Sequence, residues 1–366
     1  MLESLFVALM FAVGSAAFAQ QDIEKIDKNF RQATVGARPV EYHNAFEEPF
    51  VLTGFPFRKS GEPIHRVPLE FTKEDVNNGV LGLSHHTSGG AVLFRTNSPY
   101  LALDSTPRTG AAMGHMPSTG VSGYDLYRRD TNGKQSFVCN VRTRGPNGSS
   151  MGGSARLQDY ILYLPLYSGM TKLEIGVKPG SKFEKPTPQK ISLPILFYGS
   201  SITQGGCASR PANNYTTMLC RTLDAPQVNL GFSGAARGET AMAKAIASVK
   251  MSAFVYDYDY NAPSAEHLLK THEPFFKIIR AAQPALPIII LSRCSNYTES
   301  RRNAVKKTYD NAIAAGDKNV YFIDGSTLFG EAGRDNSTVD GCHPNDLGFY
   351  MMYQNVLPVL KKALKL

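Results

Sequence analysis

Three residue types able to build an acyl-transfer centre occur in a usable order. Ser200-Ser201 follows an apolar run, and Asp340 stands three residues ahead of His343. A serine hydroxyl attacks poorly unless a base takes its proton, and a histidine serves as that base when a carboxylate holds its other ring nitrogen. The stretch Val339-Asp-Gly-Cys-His-Pro-Asn-Asp346 lets one short loop carry both partners. Taken alone neither piece is specific, because Gly-Ser-Ser is an ordinary turn and Asp-x-x-His-Pro an ordinary loop. The other histidines add little. His85 and His86 are adjacent, so on a strand they point to opposite faces and do not share a metal; a polar loop is expected there. His267 and His272 lie five apart in a helical pattern, off one common face, and read as surface or boundary residues. No His-x-x-x-His, Cys-x-x-Cys or carboxylate cluster has ligand-like spacing, so a metal is not expected.

The elements that must position these residues are legible in the carboxy-terminal half. Ile195 to Tyr198 reads as a short buried strand closed by Gly199, and similar runs follow at 227–232, 253–258, 287–292 and 319–323. Helical patterns fill the gaps near 212–223, 238–249, 264–282 and 299–315, with a last one at about 345–364. Five apolar strands with crossover helices predict a flavodoxin-like, three-layer α/β/α domain on a parallel sheet. Its strands all end at one edge, where such sheets bind ligands. That edge would carry Ser201, the turn Gly231-Phe-Ser-Gly234, the stretch Asp257-Tyr-Asp-Tyr-Asn-Ala262, Arg293 and Asp324, with the His343 loop close by. From about 50 to 180 the pattern is strand and turn, as in Gly90–Arg95, Tyr100–Leu103, Gln135–Arg142, Asp159–Leu166 and Lys172–Val177. An all-β, jelly-roll-like sandwich is expected there, behind an irregular lead-in over 20–50.

A chain of 366 residues exceeds what one core usually supports, so two domains are expected. The net charge of +8 is scattered rather than gathered into a stripe, which argues against a nucleic-acid partner. Leu5 to Ala19 is a 15-residue apolar run ending in Ala17-Phe-Ala19, too short to span a bilayer and shaped like an export signal cut after Ala19, although its leading segment holds Glu3 and no Lys or Arg. The expectation is a secreted or periplasmic protein with no stable membrane anchor, divided into a signal peptide (1–19), a β-sandwich (20–187) and the α/β domain (188–366). The five cysteines, Cys139, Cys207, Cys220, Cys294 and Cys342, are odd in number and dispersed; buried free thiols are expected, with a Cys207–Cys220 bridge left open. The absence of Trp removes the commonest sugar-stacking platform, which 17 Tyr replace only in part.

With these residues in view, the chain resembles the SGNH (GDSL-type) hydrolase superfamily. Tyr198-Gly-Ser-Ser-Ile-Thr-Gln-Gly205 is similar to the first block of that family, in which the third position of Gly-Asp-Ser-Leu is the nucleophile; that points to Ser201 rather than Ser200. Gly234 matches the oxyanion-hole glycine of the second block and Asn261 the asparagine of the third. Asp340-Gly-Cys-His343-Pro matches the closing block. Gly123-Tyr-Asp-Leu-Tyr127 resembles the signature of the GxDLY β-sandwich module found ahead of some of these hydrolases. The chain departs from the pattern at Ser200, where many members have Asp, at Ile202, and in the third block, where Asp259 and Ala262 flank Asn261 unusually.

The resemblance implies a serine esterase working through an acyl-serine intermediate. Ser201 would be the nucleophile, His343 the base and Asp340 its orienting acid, with the oxyanion held by the backbone N–H groups of Ser201 and Gly234 and the Asn261 amide. The module and export signal together imply a carbohydrate ester, most simply an O-acetyl ester, as substrate. The alternatives are a lipid or lysophospholipid esterase, an acyltransferase with the same residues, and a glycan-binding protein whose hydrolase domain is inactive. The sandwich would bind glycan, wall the site or brace the α/β domain, with bracing the plainest of the three.

Overall fold

The computed structural model describes residues 38–108, 113–142, 149–330 and 334–366, so the apolar run at 5–19 and the cut after Ala19 lie outside the described residues. In the amino-terminal half the strands are β1 (Glu41–Asn44), β2 (Val51–Thr53), β3 (Ala91–Thr96), β4 (Tyr100–Pro107), β5 (Tyr124–Arg129), β6 (Gln135–Val141), β7 (Ser149–Gly152), β8 (Gln158–Tyr163), β9 (Met170–Val177) and β10 (Phe183–Glu184). They form two antiparallel sheets. One has the order β1-β9-β4-β7, the other β10-β3-β8-β5-β6 with β2 paired to β3. Alternate residues of both, including Leu103, Ile175, Phe94, Leu126 and Tyr160, meet in a shared core, which is the expected sandwich.

One local expectation is corrected and one strand is added. The lead-in over 20–50 holds a strand, β1, paired to β9; Glu-Tyr-His-Asn is too short and polar to read as one, since it is a mostly exposed edge. The stretch Tyr124–Arg129 is an interior strand lying between β8 and β6. Its charges hide the alternation. Tyr124 and Leu126 enter the sandwich core, while Asp125, Tyr127 and Arg129 are buried from the other face, toward the α/β layers.

The carboxy-terminal half has the predicted order of layers. Strands β11 (Ile195–Gly199), β12 (Gln227–Gly231), β13 (Ala253–Asp257), β14 (Ile288–Leu291) and β15 (Val320–Ile323) are parallel in the order β12-β11-β13-β14-β15. Alternation along the strands divides the core. Leu196, Tyr198, Phe254, Tyr256, Ile288 and Ile290 face helices Thr240–Ser248, Ala265–Ala282 and Glu299–Ala314. Ile195, Phe197, Val255, Ile289 and Leu291 face helices Tyr215–Leu223 and Asp346–Leu364. The chain leaves β11 for β12 on one side and then crosses to β13 on the other, so the strand order reverses next to β11, the place where such sheets hold ligands.

His272 is a further correction, because it is fully buried rather than a boundary residue. Five helical positions separate it from His267 by a turn of about 140°, which sends one ring outward and the other inward. It stacks on Tyr256 at 4.2 Å, bonds Thr308 through Nδ1 at 2.7 Å, and burial pulls its pKa down to about 3.

All described residues belong to one compact unit. Arg66 is wholly buried at the seam between the sandwich and the α/β layers. Its guanidinium donates to the carbonyls of Asn229 (3.1 Å), Gly231 (2.7 Å) and Leu83 (2.8 Å) and lies over the Phe232 ring. Burial without a carboxylate lowers its pKa to about 9. Elsewhere along the seam, Arg129 grips Asp224 with two hydrogen bonds, of 2.7 and 2.5 Å, and Asp125 accepts from Arg210 (2.9 Å) and the Ala212 N–H (2.8 Å).

Candidate active site

Gly199 ends β11 because nothing larger fits: a Cβ there would lie 2.2 Å from Thr203 Oγ1 and 2.5 Å from the Asp257 carbonyl. The chain then makes a single helical turn, Ser201–Gln204. Ser200 caps it, its hydroxyl accepting the Ile202 N–H at 3.2 Å. An Asp at this position would do the same capping work, which accounts for the departure at Ser200. Ser201, the first residue of the turn, is 8 % exposed.

Ser201 Oγ lies 2.9 Å from His343 Nε2, and His343 Nδ1 lies 2.7 Å from Asp340 Oδ2. With the proton on Nδ1 donated to the carboxylate, Nε2 is left to accept from the serine hydroxyl. Asp340 Oδ1 meanwhile accepts the N–H groups of His343 (2.7 Å) and Cys342 (2.9 Å). Partial burial would raise this carboxyl, but those hydrogen bonds and the His343 ring outweigh it and hold it at about 2. The loop is braced by the Val339 N–H to His343 carbonyl bond of 3.0 Å. Beyond it, Asn345 caps the last helix, and Asp346 accepts from the Ser209 N–H (2.8 Å) and Asn213 (2.7 Å), tying this loop to the one after the Ser201 turn.

Gly199 pairs with Gly231 on one side and Asp257 on the other. Ser201, Gly234 and Asn261 therefore start from one row of the sheet and occupy loops at the same edge. Gly234 has φ +69°, with open space where a Cβ would point. The N–H groups of Ser201 and Gly234 have no acceptor among the described residues. Asn261 Oδ1 is buried without a partner. The structure thus joins Ser201, His343 and Asp340 in one hydrogen-bonded chain and sets Gly234 and Asn261 on neighbouring loops, with no hydrogen bond linking those two to the chain.

Sequence reasoning missed the side chains that hold these loops. Gln204 accepts the Ser233 N–H at 3.0 Å and donates to the Leu166 carbonyl (3.2 Å) and to His86 Nδ1 (3.1 Å). His86 does lie in a loop, but burial, with Arg66 and His85 nearby, lowers its pKa to about 4, so it is neutral and free to accept. Tyr167 donates to the Ser201 carbonyl at 3.3 Å, and the His115 ring lies 6.2 Å from that of His343. His86, His115 and Tyr167 all come from the sandwich half, too far along the chain for any spacing rule to connect them to Ser201. A concavity of about 520 Å³ opens beside Asp340, with Ser295, Asn296, Arg334, Asp335 and Thr338 in its wall. Among the described residues no group of three His, Cys, Asp or Glu side chains is placed to hold a metal ion, all five thiols are free, and no helix is long and apolar enough to cross a membrane.

Residues 192–361 match the GDSL-like lipase/acylhydrolase family, and residues 40–183 match the GxDLY family, the N-terminus of SGNH-hydrolase-type esterases. A search of curated proteins finds no relative. Among solved structures, a putative GDSL-like lipase from Bacteroides ovatus is 29% identical with a TM-score of 0.78, covering 89% of this chain and 98% of its own. A salicylyl-acyltransferase from a tetracycline biosynthetic pathway is 19% identical with a TM-score of 0.75, over 89% and 98% of the two chains. An acetyl xylan esterase from the rumen bacterium Butyrivibrio proteoclasticus is 14% identical with a TM-score of 0.57, over 89% and 99%. Residues 192–361 are thus a domain of the GDSL-like lipase/acylhydrolase family, with the GxDLY module of SGNH-hydrolase-type esterases ahead of it.

Proposed function

We propose that the protein is a serine esterase that removes acyl groups, acetyl first among them, from carbohydrate. The observation that carries the reading is the continuous chain from Ser201 Oγ through His343 to Asp340, with bonds of 2.9 and 2.7 Å. Ser201 attacks the ester carbonyl as His343 takes its proton, and Asp340 holds the imidazole and steadies its positive charge. The unpaired N–H groups of Ser201 and Gly234, with the Asn261 amide, receive the negative charge on the carbonyl oxygen. His343 then gives its proton to the departing alcohol and activates the water that releases the acid. No step needs a metal or organic cofactor.

Sugar as the alcohol is supported by the acetyl xylan esterase among the structural neighbours. The salicylyl-acyltransferase, similar across both halves, favours a second reading in which an alcohol replaces water in the final step. We take the seam between modules at 187/188 and read Leu5–Ala19 as an export signal, so the mature chain from the periplasm or medium should begin at Gln20 by intact mass.

The test is hydrolysis of p-nitrophenyl esters of increasing chain length by the wild type and Ser201→Ala. A preference for acetate that vanishes in Ser201→Ala, with circular dichroism unchanged, supports the reading. Full activity in Ser201→Ala ends it, and a preference for long chains moves the substrate to lipids. Transfer of acetyl to an added alcohol in excess over hydrolysis selects the transferase.

A further inference from the structure

His115 is a sandwich residue beside His343 that the reaction above does not use. Its ring centroid is 6.2 Å from that of His343, with the planes inclined by 48°. The side chain is exposed and has no hydrogen-bond partner among the described residues. Its position is nonetheless fixed by the next turn of chain. Met116 is buried in the same core cluster as Ile202 and Phe349. Thr119 Oγ1 donates to the Ser209 carbonyl at 2.6 Å. At Gly120 the two chain segments pass so closely that a Cβ would lie 2.2 Å from the Ala208 carbonyl. Residues 116–120 are therefore pinned against the loop that comes after the nucleophile turn.

In the acylation step His343 hands a proton to the departing alcohol, so that alcohol's oxygen must lie at Nε2. A second imidazole this close to His343 reaches the atoms next to that oxygen. A neutral imidazole carries one donor and one acceptor nitrogen, and a sugar hydroxyl also donates and accepts. Aryl and alkyl alcohols offer no such partner. With no Trp anywhere in the chain and Tyr only a partial substitute for stacking, polar contacts of this kind gain weight in recognising a sugar.

We propose that His115 is a hydrogen-bonding subsite for the alcohol half of the ester, and that it favours polyhydroxylated, sugar-type alcohols over aryl and alkyl ones. This rests on the serine-esterase reading of Ser201.

The experiment compares wild type, His115→Ala and His115→Gln on p-nitrophenyl acetate and on partially acetylated xylo- and gluco-oligosaccharides, which keep free hydroxyls. For His115→Ala the ratio of kcat/KM on sugar acetates to that on p-nitrophenyl acetate should fall about 3- to 10-fold, the size of one lost neutral hydrogen bond, chiefly through KM. His115→Gln, which keeps a donor and an acceptor, should restore part of the ratio. Both substrates are read on one preparation, so a misfolded fraction cancels. An unchanged ratio overturns the proposal, whether both activities fall together or neither does. A wild type that cleaves p-nitrophenyl acetate but none of the sugar acetates overturns the subsite while leaving Ser201 as an esterase nucleophile. Silence on every ester ends the esterase reading itself.

Discussion

Asp340 is 42 % exposed in its side chain, yet both oxygens are engaged by its own loop. Held at about 2, it stays ionised at neutral pH, and in the proposed reaction its part is to orient His343. Asp340→Asn would turn an amide donor toward Nδ1 and favour the tautomer with the proton on Nε2; kcat should fall on the order of 1,000- to 10,000-fold with KM little changed, measured on p-nitrophenyl acetate. Asp257 shows the opposite shift. Burial raises its carboxyl from 3.8 to about 7, although Thr203 and Tyr215 each donate to it at 2.8 Å. A raised pKa means that the folded state binds more protons than the unfolded one between about pH 4 and 7, so this group costs stability progressively over that window and fully above it. Asp257→Asn should therefore gain stability relative to wild type as pH rises from 4 to 8, by up to roughly 4 kcal/mol, in urea titrations at each pH. Ser201, Asp340 and His343 were readable because each sits in a short contiguous motif. His86 and His115 were not, because their meaning lies in folded neighbours more than eighty residues away along the chain.

The parallel strands were the most legible elements. Buried on both faces, they read as apolar runs, and their predicted bounds agree with the observed ones to within a residue or so. β5 was illegible for the converse reason. Its Asp125, Tyr127 and Arg129 look solvent-facing until a second layer supplies Arg210, Arg221 and Asp224. The Asp and Tyr of the GxDLY signature are thus seam residues. Asp125→Ala would take the acceptor from the Ala212 N–H and a carboxylate from Arg210, which is 24 % exposed and keeps its bond to Tyr127, and should cost about 1–3 kcal/mol in urea unfolding. Because Ser209, next to Arg210, contacts Asp346, the same variant should also lower kcat.

Over the whole molecule, the change of architecture near residue 188 separates two fold types within one packed body. Val67, Val76 and Val80 join the core on one side of the parallel sheet, and Met116, Val121, Leu166 and Tyr167 join the core on the other. Urea unfolding followed by tyrosine fluorescence and by far-UV circular dichroism should give coincident single transitions; two separated transitions would contradict the shared cores. The two fold types were foreseeable from the change of pattern near residue 188, but their shared cores were not, since apolar residues in a sandwich sequence do not announce which sheet they will cover.

The buried Arg66 spanning the carbonyls of Leu83, Asn229 and Gly231 bears on how such enzymes can be recombined. A chimera joining this sandwich to a relative's hydrolase half would keep Arg66's acceptors, which are backbone carbonyls and independent of side-chain identity. It would lose Asp224, Arg210 and Arg221 unless the donor brought them. Grafting is therefore tolerant at one end of the seam and exacting at the other, and these three positions are the ones a successful shuffle has to carry across together.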